Sequence, residues 1–194
     1  MILSNDYKDY IKSGDIIIQI GSYDGIQCED YGFHEFIFSL RGECHFIEPQ
    51  FVPFRALKES YRNRKVNCKV NFHNLAIYNT NERTEFYLNK TESSFVRHKN
   101  CKSIKVETRT LSKFLEENSI ENIDCLFLDV EGVEDVIIHQ LFETTSIRPK
   151  IIRYEYPHQK DNDKLQQFIF ENGYDIIKCK YSNGDKICIK KDGN

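Results

Sequence analysis

The stretch Ile123–Glu134, IDCLFLDVEGVE, decides how the rest of the chain is read. Cys125, Leu126, Phe127 and Leu128 form a short continuous apolar run, the pattern of a strand covered on both faces. The run ends in Asp129, Glu131 and Glu134, with Gly132 between them. From Asp124 to Asp135 there are five acids and no Lys or Arg. Acids gathered at the carboxyl end of a central strand lie where open α/β sheets bind ligands. There they act as general bases, hydrogen-bond acceptors or ligands for hard cations. Asp135 reads as an acid at the positive end of the following helix. Asp129 and Glu131 precede that helix and read as functional.

Working outward, strands alternate with helices along most of the chain. Residues 5–13, capped by Ser4, read as a short N-terminal helix ended by Gly14, so 1–14 is an extension to a single domain spanning 1–194. Asp15–Ile20 is a first strand with three consecutive isoleucines. The turn Gly21-Ser22-Tyr23-Asp24-Gly25 follows, then a helical pattern of Phe33, Phe36, Ile37 and Leu40. Strand, glycine turn, helix is the context of a cofactor loop, in which glycine lets backbone approach a ligand and the helix start offers free amides. Cys44–Ile47 is a second strand tipped by Glu48-Pro49, and an acid there can accept both hydroxyls of a ribose. Pro53, Phe54, Leu57 and Tyr61 mark a helix, and residues 66–74 a third strand. A hairpin, a strand at 104–108 and a helix capped by Thr110 lead to the central strand. Lys150–Tyr156 is a fifth strand, which sets Glu155 and His158 near its carboxyl end. Gly173 closes a last helix, and an Asn183-Gly184 turn signals a closing hairpin. The reading is one doubly wound α/β domain with a mostly parallel sheet.

The segment Val106–Ile138, VETRTLSKFLEENSIENIDCLFLDVEGVEDVII, resembles the signature of the FkbM-type methyltransferases, with Thr110, Leu111, Phe114, Leu115, Ile123, Asp124, Leu126, Asp129, Glu131, Gly132 and Glu134 in pattern. Phe46, Glu48 and Pro49 fit the family's "F-x-EP", Asn74 and Ala76 its "N-x-A", and Ser94 its "S-S" step. The resemblance implies the Rossmann-like seven-stranded methyltransferase sheet with an antiparallel C-terminal hairpin. It implies S-adenosylmethionine as cofactor and a hydroxyl as methyl acceptor, on a sugar, a nucleotide-linked sugar or another small hydroxylated metabolite. Gln19, Gly21, Ser22, Asp24, Gly25, Glu48, Asn74, Ala76, Ser94 and Asp129 are then the cofactor-binding candidates. Gln19 stands where an acid is usual, and Asp24 is the candidate to supply its charge. Asn74 is a candidate to read an adenine edge, and a loop Asn satisfying local backbone fits the same position.

Composition narrows the field. The chain of 194 residues has 14 Phe and 11 Tyr and a net charge of −3, a globular composition without the basic excess of a nucleic-acid or membrane-surface binder. No apolar run approaches the ~20 residues of a membrane span, and the N-terminus lacks signal-peptide features. Seven cysteines, odd in number, irregularly spaced and without CxxC, argue against a zinc site or a disulfide framework and for a reducing cytoplasmic setting.

Methyl transfer to a hydroxyl needs alignment and removal of a proton. Asp129, His158, Glu131 and Glu155 are the candidate bases, Asp129 and His158 first by position. A surface-loop histidine fits His158 equally. Asp129, Glu131 and Glu155 also have the chemistry to hold Mg²⁺ or Ca²⁺. The alternative from another class is a non-catalytic nucleoside-binding module, motivated by Gln19. A ribose-binding oxidoreductase finds no support in the LDVEGVE stretch, and the basic patch at 97–105 is the one feature favouring RNA.

Overall fold

The computed structural model describes residues 10–25, 31–90, 92–97, 101–155, 162–178 and 184–191. The N-terminal helix lies largely outside these residues, and the described part of it, 10–13, is turn and loop. Strand β1 (Ile16–Ile20) leads to helix α1 (Tyr31–Ser39), β2 (Glu43–Ile47), α2 (Phe51–Arg62) and β3 (Lys69–His73). Three further strands follow: β4 (Ala76–Ile77), β5 (Arg83–Leu88) and β6 (Lys102–Arg109). Then come α3 (Leu111–Glu117), β7 (Cys125–Leu128), α4 (Glu134–Thr144), β8 (Ile151–Glu155), α5 (Asn162–Glu171), β9 (Tyr174–Lys178) and β10 (Asp185–Lys190).

Seven strands form one sheet in the order β3-β2-β1-β7-β8-β10-β9. β10 runs antiparallel to both of its neighbours, and the other pairings are parallel. The hairpin thus inserts its second strand between β8 and β9. The chain steps outward from β1 to β3 and then returns to β7 on the other side of β1. That reversal is the switch point at which doubly wound sheets open a crevice. β4, β6 and β5 make a separate small sheet.

The continuous apolar strands are explained by two cores. Ile18, Ile20, Leu126, Leu128 and Ile152 pack on one face against Ile137 and Leu141 of α4 and Ile169 of α5. Ile17, Phe46, Phe127 and Ile151 pack on the other against Phe33 and Ile37 of α1 and Leu57 of α2. Alternate residues of one strand therefore enter different cores.

Local signals act as the sequence suggests. The Thr110 hydroxyl caps α3 by accepting from the Lys113 amide at 3.3 Å. β3 is shorter than the 66–74 reading. The Asn67 amide leaves the sheet to donate to Phe38 O, and the Asn74 side chain donates to Glu48 O and Pro49 O at 2.9 and 3.1 Å. The Asn-Gly turn of the closing hairpin lies partly outside the described residues. Among those residues, no helix is long and apolar enough to cross a membrane.

Candidate functional site

The carboxyl ends of β1, β2 and β7 are stitched together through backbone. Gly21 N and Ser22 N both donate to Ile47 O, at 3.0 and 3.1 Å, and Asp129 N donates to Ile20 O at 3.0 Å. Gly21 has φ +86°, and a Cβ on it would stand 1.7 Å from the Asp129 carbonyl oxygen. No other residue type fits there, because both the handedness and the close approach exclude a side chain. Gly25, at φ +70°, closes the turn, its amide donating to Ser22 O at 3.1 Å. The Ser22 hydroxyl donates back to Gln19 O at 3.1 Å. Tyr23, between the glycines, is itself at φ +42°. Left-handed backbone at a non-glycine residue stores strain, which concentrates at ligand-binding turns.

Glu48 reaches into this turn. One carboxylate oxygen accepts from Tyr23 N at 3.0 Å and the other from Gln50 N at 2.7 Å. The residue is 3% exposed, and burial pushes its carboxyl up to about 7, against the pull of those two amides. Each oxygen keeps lone pairs for a further donor. A vicinal diol offers two such donors, so the acid fits a ribose. Gln19 and Asp24 are buried beside the turn, and Asp24's charge contributes to raising Glu48. The role of Asn74 is legible here: its amide holds the Glu48-Pro49 backbone in place.

The second half of the site is acidic. Asp129 follows β7, Glu131 lies in the turn after it, and Glu155 ends β8. Their carboxylate oxygens lie within 4.8 Å of one another. Glu131 has φ +59°, the second strained residue of the site. Burial, and then the charges of Glu155, Glu134 and Glu92, push its carboxyl up to about 8, and it shares a hydrogen bond with Glu155. At neutral pH the pair thus holds a proton. Glu134 is fully buried and closes the turn, accepting from Val130 N and Gly132 N at 3.0 Å each. Its helix-start position gives no hint of this inward role. Among the expected site residues, His158 lies outside the described residues.

Ala76 and Ser94 belong to the small sheet. Ala76 is buried opposite Thr108, and the Ser94 hydroxyl accepts from Val96 N at 2.8 Å while its backbone pairs with Tyr87. Through Glu92, whose charge is felt at Glu131, the same loop stands beside the acids. Tyr23, Gln50 and Glu92 were not legible as site residues. Two of them act through backbone amides, which carry no residue-type signal.

Residues 19–176 match the model of the methyltransferase FkbM domain. The chain belongs to the FkbM methyltransferase family. Comparison with curated protein sequences finds no match. Among solved structures, an FkbM methyltransferase from Methylobacillus flagellatus is 12% identical at a TM-score of 0.57, over 92% of this chain and 44% of that one. The chain thus spans less than half the length of that FkbM protein. Fibrillarin from Aeropyrum pernix, solved with natively bound S-adenosyl-L-methionine, is 13% identical at a TM-score of 0.53, over 92% of this chain and 67% of that one. The Podospora anserina methyltransferase PaMTH1, bound to S-adenosylhomocysteine, is 14% identical at 0.52, over 92% and 72%. At such identities the likeness is one of fold, and the fold is that of S-adenosylmethionine-dependent methyltransferases.

Proposed function

We propose that this FkbM-family chain transfers a methyl group from S-adenosylmethionine to a hydroxyl of a sugar, a nucleotide-linked sugar or another small hydroxylated metabolite. The observation that carries this reading is the convergence of the Gly21–Gly25 turn, Glu48 and Asp129 at the switch point of the sheet. S-adenosylmethionine, when bound, supplies an electrophilic methyl on a sulfonium. The glycine turn would let backbone approach it, Glu48 would accept the ribose hydroxyls, and Asp24 would supply, for the methionyl ammonium, the charge that Gln19 lacks.

The acids after β7 and β8 serve the acceptor. Asp129 takes the hydroxyl proton, and the Glu131–Glu155 pair, already holding one proton, orients the acceptor by donating to and accepting from its hydroxyls. The comparisons lend no support to the Mg²⁺ or Ca²⁺ role considered for these acids.

Calorimetric titration with S-adenosylhomocysteine tests the donor half. Binding in the micromolar range that weakens about 10- to 100-fold in Glu48→Ala is expected, the worth of hydrogen bonds to a charged group. No binding to the intact chain would overturn the donor half. Transfer of labelled methyl from S-adenosylmethionine to a panel of hydroxylated metabolites tests the acceptor half.

A further inference from the structure

Away from this site, β2 and the approach to β3 bring two thiols together. The Cys44 and Cys68 sulfurs are 3.7 Å apart. Cys44 is 1% exposed, in the core beneath Phe46 and Leu57. Cys68 is half-buried and lines an open groove of about 550 Å³ between α2 and the β3 edge, together with Tyr61, Arg62, Arg64, Val66 and Phe72. Lys58, Arg62 and Arg64 line this groove with one acid, Glu59, which pairs with Arg62 at 3.4 Å, so the mouth at which Cys68 meets solvent is net cationic. The Cys44 S–H is directed at the Cys68 sulfur, which holds the Cys68 thiol below its ordinary range and the Cys44 thiol above. The two cysteines are therefore unequal: Cys68 is half-buried at the groove, its S–H turned to Ile37 O at 3.6 Å, and Cys44 is buried directly behind it. That is the arrangement of an attacking thiol backed by a resolving thiol.

We propose that Cys68 and Cys44 form a hydroperoxide-reactive pair that closes to a reversible disulfide. The Cys68 thiolate attacks the hydroperoxide. An S–O bond forms, the O–O bond breaks, and the departing alkoxide or hydroxide takes up the proton Cys68 released. The Cys44 sulfur then attacks the sulfur of the Cys68 sulfenic acid. The S–S bond forms, the S–O bond breaks, and the leaving hydroxide takes the Cys44 proton as water. The two thiols lose two electrons and two protons, and the peroxide is reduced. Closing 3.7 Å to a bonded ~2.05 Å is a side-chain movement of under ~2 Å. The resulting ring encloses residues 44–68, which contain Glu48 and the whole of α2. A path also leads from the pair to the glycine turn. Tyr61 borders the same groove and bonds His34 at 2.5 Å, and the His34 ring lies 3.2 Å from where a Gly25 Cβ would stand.

The test treats the whole protein with hydrogen peroxide, blocks the remaining thiols and maps the unreduced digest by mass spectrometry. Cys101, half-buried and without a thiol partner among the described residues, is the internal comparator. A Cys44–Cys68 cross-link that dithiothreitol reverses is expected, with Cys68 reacting at least ~10-fold faster than Cys101. In Cys44→Ser the reaction stops at a Cys68 sulfenic acid that dimedone traps. Oxidation of Cys68 to sulfinic acid with Cys44 still a free thiol would overturn the proposal. So would a cross-link of Cys68 to another cysteine, or a Cys68 no faster than Cys101.

Discussion

The Glu48 carboxylate accepts a hydrogen bond from the Tyr23 backbone amide at 3.0 Å, tying the tip of β2 to the middle of the glycine turn. One buried acid thus fixes the shape of the turn and stands ready for a diol. Its raised value near 7 sets a pH dependence. Hydroxyl donors favour the ionised carboxylate, so a ligand bound through them binds more tightly as pH rises through 7. S-adenosylhomocysteine affinity is expected to rise about 10-fold from pH 6 to pH 8. In Glu48→Gln that rise should vanish, as calorimetry at the two pH values will show.

The two glycines of the turn should respond differently. In Gly21→Ala the new Cβ meets the Asp129 backbone, which cannot yield without parting β1 from β7. A loss of roughly 4 kcal/mol or more in urea unfolding is expected. In Gly25→Ala the nearest atom is the Leu57 side chain, which can turn aside. That variant should fold, losing roughly 1–2 kcal/mol to its left-handed backbone, and bind S-adenosylhomocysteine more weakly.

The acids after β7 make stability fall with pH. The Glu131 carboxyl is raised from 4.5 to about 8, so folding favours its protonated form. Its contribution is fully present below pH 4.5 and is lost as pH rises through 8. Glu134 and Glu48, each near 7, add in the same direction. Glu131→Gln should therefore be more stable than the parent at pH 9 by on the order of 1 kcal/mol, once solvent at this half-buried site is discounted. Near pH 5 the two should be alike. Urea midpoints at both pH values are the readout, and an equal gap at both would contradict the assignment.

A buried ion pair pins the hairpin to β8. Arg153 donates through Nε and Nη2 to Asp185 Oδ2 at 3.0 and 2.5 Å, with both side chains nearly enclosed. Arg153→Ala strands the Asp185 charge and should cost roughly 3–5 kcal/mol. Replacing both residues with apolar side chains of similar size should recover most of that loss in thermal unfolding.

Asp129→Asn removes the proposed base and keeps the shape. Methyl transfer is expected to drop about 10²- to 10⁴-fold with S-adenosylhomocysteine binding within a few-fold of the parent. Unchanged turnover with an identified acceptor would move the base to Glu155 or His158.

Much of this was legible in the sequence because the signals are local. The IDCLFLDVEGVE strand and turn, the Thr110 cap and the Gly21–Gly25 turn each follow from neighbouring residues. The antiparallel hairpin and the seven-stranded sheet also came through, from the alternation of elements and the family resemblance. What was hidden depends on partners far along the chain. Asn74 carries two readings, a ligand reader or a loop Asn satisfying backbone, and the second holds, with Glu48 O beside its amide. Glu134 stands among the acids after the central strand, but its inward turn onto the Val130 and Gly132 amides is set by the folded turn. Cys44 lies on β2 and Cys68 just before β3, and nothing in their spacing reveals the pairing.

The small sheet carries its own consequence. Its buried core is Ala76, Phe86 and Val106, with Leu88 and Phe95 packed against it. Gln140 of α4 clamps its base, accepting from Leu111 N at 2.7 Å and donating to Tyr78 O at 3.1 Å. A core this size cannot match the cohesion of the seven strands, so β5 and β6 should breathe first, their amides exchanging with deuterium well before those of β7. The same inequality shapes how the chain can evolve. The wall beside the acids, including Glu92, can drift and be rebuilt, whereas position 21, pressed against the Asp129 backbone, holds only glycine.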